Sequence, residues 1–554
     1  MSHQHDLYSR RHFLKLLLGS SALGTVGQLA LMQKAAATAP GFSDYKALVC
    51  VFLKGGNDSF NMLLPIGGDA KTGYAAYAAT RGSLAITNNP LDLNTIATGG
   101  TNLNHGNLGI DSANPYYVNG SEETAYLKGF YGLSGKGIEL GVNAVMPELA
   151  QLINDNKASV IANIGTLVQP VNRAQILAKT AKLPVFLFAH NHQQRILQTG
   201  QADNLTGIGW AGKIADQWQG INSNSPLGLN ISYSGNDRML IGNKSSPLIL
   251  NPSTPPRYTE MVAGSGAPSD DRIAVFKALS GIENTSPSGK VSFDSTNTFN
   301  AEDEFQRVYA SMSQKSFNTF DQLYSTWTTN NITYQSTGSY GEPLFSQLSP
   351  NYLGFKGSIQ GGLISQLEAV AKMIHLAATG KFNNNAFNRQ IFLVSLGGFD
   401  THATQASKHP LLLRELSVGL WKFQKALEEL GHANKVTTFT MSDFGRTMSN
   451  NGDGTDHAWG AHHIVMGGDG QGAVGNFQGG QMIGRLPDVT LAGTDDHDKQ
   501  GRMIPGLAQD QLNATLCRWF GANESMLASI FPNLSHFETQ KGVADSAYFN
   551  GLFA

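Results

Sequence analysis

The chain has 554 residues, 41% of them hydrophobic and only 14% charged, and its 39 Lys and Arg against 41 Asp and Glu leave a formal net charge of −2. Soluble domains usually carry about 25% charged residues, and without a basic stripe this chain lacks the concentrated positive footprint that nucleic acid binding needs. Its 62 glycines indicate a loop-rich, neutral surface, while Cys50 and Cys517, both inside apolar stretches and neither in a C-x-x-C pair, read as buried thiols rather than a redox site.

Residues 9–15 (SRRHFLK) carry a twin-arginine export pattern. An apolar stretch diluted by Gly and Ser follows at 16–31, then Lys34 and small-residue cleavage options at 35–39. Residues 1–39 are therefore expected to be a signal peptide, with the protein passed folded to the periplasm or secreted by the twin-arginine machinery. No later stretch offers 18 apolar residues, so no stable membrane span is expected after cleavage. Residues 40–554 then form one α/β domain.

A buried-type strand at 48–53 runs into Gly55, Gly56 and Asp58. Residues 66–140 show little periodicity and predict irregular loops, including Asn104 and His105. An amphipathic helix at 146–156 and a strand at 159–164 follow, and an apolar run at 184–188 leads into AHNHQQ at 189–194. Residues 222–300 are rich in Ser, Asn, Pro and Gly, with short alternating runs such as LGLNISY; they predict an insertion or a small β-rich cap, reaching to 350. Helical patterns occupy 301–327 and 359–379, and then come a strand at 391–395, a helix at 410–430 and a strand at 436–441. Helix and strand alternate from 359 to 441, which argues a parallel sheet covered by helices. The tail, 510–537, holds a helix around Cys517 and shorter helical pieces.

Three of these strands end in Gly and Asp. The first reaches Asp58, the second Asp400 and His402, the third Asp443 with Gly445 and Arg446 behind it. Ligands of open α/β sheets sit beyond the carboxyl ends of the strands, so three carboxylates fall along the edge where a site is expected. Asp456, His457, His462 and His463 then place four candidate ligands within eight residues, in a chain of only 15 histidines. Carboxylates at strand ends with imidazoles on the next loop suit a metal such as zinc. Each has a plainer reading beside it: Asp is a common turn and cap residue, and a loop histidine can simply bond backbone. Walker A, H-E-x-x-H and G-x-S-x-G patterns are absent.

Several of these stretches carry a resemblance. SRRHFLK at the start, GGNDSFN at 55–61 with Pro65, LFAHNHQQ at 187–194, GGFDTH at 397–402, SDFGRT at 442–447, DHAWGAHH at 456–463 and the tail pieces DQLNATLCRWFG and FPNL resemble the exported family known as domain of unknown function 1501. That family is similar to the alkaline phosphatase and sulfatase superfamily. The resemblance implies a three-layer α/β sandwich with a mostly parallel central sheet and a bimetal site at its carboxyl edge. It implies a metal-dependent hydrolase of phosphate esters, sulfate esters second, with zinc as the first metal and manganese, iron or calcium behind it. Asp58, Asp400, His402, Asp443, His457 and His463 are the metal-facing set so implied, with His457 or His463 standing for the last histidine ligand. Asn61 and Arg446 are the substrate-binding candidates. A partnership with another exported protein is a further implication.

The departures from that pattern matter. Phe444 stands where the superfamily's S-D-H-G has a ligand histidine, and the Asp400–His402 spacing is shorter than D-x-x-x-H. Ala189 and His192 replace the Ser and Asp of F-S-H-N-D-Q, so Ser59, Thr401 or a water must attack. His190 and His192 are acid–base groups, ligands or structural residues. The competing reading is a non-catalytic exported binding or envelope-assembly protein that keeps the hydrolase fold.

Overall fold

The computed structural model describes residues 41–93, 126–133, 136–222, 227–253, 255, 316, 319–339, 342–346, 361–382, 388–473, 475–538 and 547–553. The expected signal peptide at 1–39, Asn104, His105 and much of 222–350 lie outside the described residues.

Strand β1 (Lys46–Lys54) has seven consecutive buried residues between its two lysines. A strand apolar on both faces belongs in the middle of a sheet. Its side chains alternate between two cores. Ala47, Val49, Val51 and Leu53 join one, with the helices Pro147–Asn154, Gly362–Ala378 and Gln405–Glu429. Leu48, Cys50 and Phe52 join the other, with the helices Trp210–Gln217, Gln509–Phe520 and Glu524–Ile530. Both cysteines are free and buried.

Four short strands follow β1, namely β2 (Leu63–Pro65), β3 (Pro90–Leu91), β4 (Phe130–Gly132) and β5 (Leu140–Asn143), and they make a separate sheet ordered β2-β5-β4-β3. The remaining strands are β6 (Ala158–Gly165), β7 (Asn230–Ser232), β8 (Leu248–Ile249), β9 (Arg389–Gly397), β10 (Val436–Ser442), β11 (Ala461–Gly467), β12 (Met482–Ile483) and β13 (Leu507–Ala508). They build the central sheet with β1 in the order β12-β6-β11-β10-β1-β9-β7-β8, with β13 also on β6.

The sheet is mixed, which corrects the mostly parallel expectation. β1 lies parallel to β9 and β10, but β11 runs antiparallel to both β10 and β6. A parallel return needs a crossover, usually a helix; residues 443–460 contain none, so the chain turns back beside β10. The LGLNISY run does not stand apart as a cap, because β7 pairs with β9 and widens the central sheet. Within 66–140 a helix, Tyr74–Arg81, forms where loops are expected, its four alanines supplying helix propensity that periodicity alone does not report. The long helix starts at Gln405, five residues before Pro410, which sits inside its second turn. No helix among the described residues is long and apolar enough to cross a membrane.

Register sets up the site. Leu53 of β1 pairs with Ser442 of β10 and with Leu396 of β9, so the three strands end level and their exit loops meet.

Candidate functional site

The three exit loops pack backbone to backbone. Gly55 takes φ +115°, and a Cβ there would lie 2.5 Å from the amide nitrogen of Asp400. Gly56 takes φ +81°, and its Cβ would meet the Phe444 ring at 2.6 Å. Only glycine combines that conformation with that closeness. The Gly55 N–H donates to Asp443 Oδ2 at 3.2 Å, tying the end of β1 to the end of β10.

Four side chains converge above this junction. His457 Nε2 lies 3.0 Å from His190 Nε2, 2.9 Å from His402 Nε2 and 3.3 Å from Asp400 Oδ1. Asp400 Oδ1 is 3.1 Å from His402 Nε2 and 3.5 Å from His190 Nε2. His190, Asp400 and His457 offer ligand-type atoms that all lie within 4.8 Å of one another. Each imidazole has its other nitrogen held. His190 Nδ1 donates to Asp443 Oδ2 at 2.6 Å, His402 Nδ1 to Asp456 Oδ1 at 2.9 Å and His457 Nδ1 to the Phe188 carbonyl at 2.8 Å. With the Nδ1 hydrogens so committed, three Nε2 lone pairs and a carboxylate oxygen face one another.

The supports come from several elements. Helix His190–Thr199 brings His190 and, one turn on, Gln194, whose amide also donates to Asp443 Oδ2 at 2.9 Å. Phe188 reaches His457 from φ +71°, a conformation costly for a bulky side chain; its ring rests against the Arg502 guanidinium at 4.6 Å. Phe444 floors the cluster, its ring centroid 4.7 Å from those of both His190 and His457.

The electrostatics follow from these contacts. The hydrogen bond to Asp443, working against burial, raises the pKa of His190. Burial lowers that of His457, and the Phe188 carbonyl only partly opposes it. Burial pushes the Asp400 carboxyl up, but Arg446, His190 and His402 together hold it below its ordinary value. Arg446 is itself buried and donates to Asp400 Oδ1 at 3.0 Å, while its Nε and Nη1 have no partner among the described residues.

Of the residues singled out from sequence, His190, Asp400, His402 and His457 come together, and Asp443 stands behind His190 as its hydrogen-bond acceptor. Asp58 faces elsewhere: fully buried, it pairs with Arg81 at 2.5 Å and accepts from Gln405 at 2.5 Å. Ser59 is buried, its hydroxyl oxygen accepting from the His462 amide at 2.7 Å. Asn61 is buried between the Leu84 carbonyl and the Tyr77 hydroxyl. His463 is buried in β11 beside Thr440, 3.4 Å away, and His462 is buried against Phe60. His192 lies outside the cluster, stacked on Phe186 with ring centroids 4.3 Å apart. The Phe188 carbonyl escaped sequence reasoning because a backbone acceptor leaves no trace in residue identity. Gln194 and Asp456 lay within the HNHQQ and DHAWGAHH stretches and could have been picked out as partners for the imidazoles.

No curated protein matches this chain. Among solved structures it is similar to Ps i-CgsB in complex with k-i-k-neocarrahexaose, at 11% identity over 69% of this chain and 68% of that one, with a TM-score of 0.27 that is too low to speak for fold or activity. Residues 386–525, which contain β9, β10, β11 and three of the four converging side chains, match the family model described as a protein of unknown function, DUF1501.

Proposed function

We propose that the protein is an exported hydrolase of phosphate esters, with sulfate esters second, and that it works with a divalent metal, zinc first, held by His190, Asp400, His402 and His457. The convergence of these four ligand-type atoms supports the reading. His457 Nε2 and Asp400 Oδ1 lie 2.9 to 3.5 Å from each other and from the Nε2 atoms of His190 and His402, against about 3.3 Å between neighbouring ligands of a tetrahedral zinc with bonds of about 2.0 to 2.1 Å; His190, Asp400 and His457 make the compact triad, and His402 joins it through Asp400 and His457. Histidine ligands usually donate their other N–H to a carboxylate or carbonyl, and all three imidazoles do so here. Facing lone pairs repel unless a proton or a cation lies between them. Manganese, iron and calcium remain alternatives, with calcium last because imidazole suits softer ions.

Bound there, a divalent ion would polarise the ester and make a water more acidic. The chain's own residues frame that chemistry. Arg446 holds Asp400 in place. The hydroxyls of Ser59 and Thr401 are buried and engaged, the latter donating to Gln405 Oε1 at 3.2 Å, so attack falls to water. His192, half-buried and with no hydrogen bond to its imidazole among the described residues, is left as the proton-transfer candidate. The proposal includes the three-layer, alkaline phosphatase-like arrangement, which helices in both cores favour, and twin-arginine export, which SRRHFLK favours. A single centre fits better than two, since Phe444 fills the floor and Asp58 is spent on Arg81.

One observation favours the second reading, a non-catalytic exported binding protein: neither candidate nucleophilic hydroxyl is free to react. Metal content of the full chain purified without added metal or chelator, beside Asp400→Ala and His190→Ala, separates the outcomes. Stoichiometric metal lost in both variants, with ester hydrolysis lost alongside, supports the hydrolase. Stoichiometric metal without turnover of any phosphate or sulfate ester favours the binding protein, and folded protein free of metal sinks the centre.

A further inference from the structure

Three large hydrophobic side chains stand exposed among the described residues, Leu177 and Phe186 at 61% and Leu491 at 45%. Two of them lie on one stretch, residues 171–188, between β6 and helix His190–Thr199. The third is on a loop that this stretch touches, since Arg173 Nε donates to the Asp496 carbonyl at 2.8 Å. A single exposed leucine is ordinary, but gathering all three on two touching segments calls for a cause. The stretch is ordered. Helix Arg173–Leu177 opens with a capping box between Asn172 and Gln175. Ile176, Leu183 and Leu187 pack on a small core around Trp459, while their neighbours Leu177 and Phe186 are left to solvent. Phe186 takes φ +49°, a conformation costly for a bulky side chain. It is held there, with Gln193 Nε2 donating to its carbonyl at 3.2 Å and its ring stacked on His192.

Charge singles out the partner. Between Asp155 and Asp203 the chain has no Asp or Glu but three lysines and two arginines, in a molecule whose net charge is −2. Lys182 pairs with Asp203 at 2.8 Å at the surface. Arg173 and the exposed Lys179 pair with no carboxylate among the described residues. A protein interface wants an apolar centre depleted of charge, whereas here a cation stands within four residues of Leu177 and of Phe186. A bilayer surface takes that mixture. Apolar tips enter the acyl boundary while lysine stems lie along it with their heads at the phosphates, and anionic headgroups attract each cation.

We propose that residues 171–188 form a docking surface for a membrane with anionic headgroups, Leu177 and Phe186 entering it and Arg173, Lys179 and Lys182 meeting its phosphates. The association is peripheral and reversible, because a few apolar tips and charges fall far short of an inserted helix. The stretch ends at Phe188, whose carbonyl holds His457, so the docked face borders the imidazole cluster. Docking needs neither a metal nor an ester.

Both native cysteines are buried, so a polarity-sensitive fluorophore can be placed by substitution at Leu177→Cys, at Phe186→Cys and, for comparison, at Lys244→Cys, which is exposed outside the stretch. Each labelled full-length protein with native melting is titrated with phosphatidylglycerol vesicles and with phosphatidylcholine vesicles. A blue shift is expected at 177 and 186 with phosphatidylglycerol only, and none at 244. Adding Lys179→Gln should raise the lipid needed for half the shift about fivefold. The labels report locally, so binding through the expected signal peptide alone would leave 177 and 186 in water. Unmoved labels at both positions overturn the proposal, and so does an equal shift at 244. A shift as large with phosphatidylcholine overturns the anionic headgroup. Labels indifferent to vesicles but shifted by polyglutamate give the surface to an acidic protein instead.

Discussion

Two sets of three histidines occupy the same end of this molecule and do opposite things. His190, His402 and His457 have side chains between 23% and 42% exposed, with each Nδ1 pinned and each Nε2 turned to a common point. His409, His462 and His463 are between 0% and 3% exposed and serve the interior. His409 donates from Nε2 to Asn57 Oδ1 and accepts at Nδ1 from the Tyr126 hydroxyl, both at 2.8 Å, while His462 Nδ1 accepts from the Asn163 amide at 3.1 Å. What separates the sets is whether one ring nitrogen stays uncommitted at the surface. Residue type and sequence neighbourhood do not decide it, since His457 and His462 are five positions apart.

The largest effect expected is a double dissociation between the sets. His457→Ala should abolish stoichiometric metal binding while costing under about 1 kcal/mol of stability, as is usual for a partly exposed side chain outside the core. His409→Ala should do the reverse. It opens a cavity and orphans Asn57 and Tyr126, at about 2 to 4 kcal/mol, and should leave metal stoichiometry intact in protein that still folds. Metal content and denaturant melts on both variants check this, and matching losses in the two would erase the distinction between the sets.

Acid should expose the interior set next. Burial lowers the pKa of His409 to about 4, of His462 to about 3 and of His463 to about 4. Against an unfolded value of about 6.5, the unfolded chain binds more protons than the native one between those limits, so the stability these groups contribute is present above 6.5 and lost as pH falls towards 4. Each adds a slope of about 1.4 kcal/mol per pH unit within its window. Asp510 opposes them: burial raises its pKa to about 7, so its contribution is present below 3.8 and lost as pH rises towards 7. Three against one leaves stability climbing with pH from about 4.5 to 6.5. Melting temperatures of chelator-treated protein across that range check it, and a flat profile would contradict the burial argument.

A smaller effect separates support from ligation. Asp443→Asn keeps the shape behind His190 but removes the charge that orders its ring, so metal affinity should fall about 10- to 100-fold with stability nearly unchanged. Competition titration with a zinc indicator measures it. Total loss of metal would make Asp443 a ligand itself, as its place after β10 implies.

Much of this was legible before any coordinates. Apolar runs ending in Gly and Asp gave the strands and the edge where the candidate site was looked for, because burial on both faces forces continuous hydrophobic sequence. Asp400, His402 and His457 followed from loop position. The inward or outward choice at each carboxylate did not. Asp58 pairs with Arg81, which lies on a helix that sequence periodicity did not report, and no local pattern encodes a partner 23 residues away. His462 and His463 are buried because β11 begins at Ala461, so both sit in a strand buried along its whole length rather than on the loop where the sequence places them.

The smallest expected effect probes how the surface set is held, through Phe188→Gly. Glycine takes φ +71° freely, which relieves about 1 to 2 kcal/mol of left-handed strain, but it loosens the unfolded chain by about 0.5 to 1 kcal/mol. It also gives up the ring's contact with Arg502, worth about 0.5 to 1 kcal/mol at a partly exposed position. These terms nearly cancel, so the melting temperature should hardly move. The carbonyl that fixes His457 Nδ1 would remain but sit on a freer backbone, and metal affinity should drop a few-fold as the imidazole loses part of its orientation. Near-constant stability with weakened metal binding is the outcome expected if strain at Phe188 is kept for the sake of His457. A clear gain in stability with unchanged affinity would make the strain incidental, and the surface set would then be held by Asp443 and Asp456 alone.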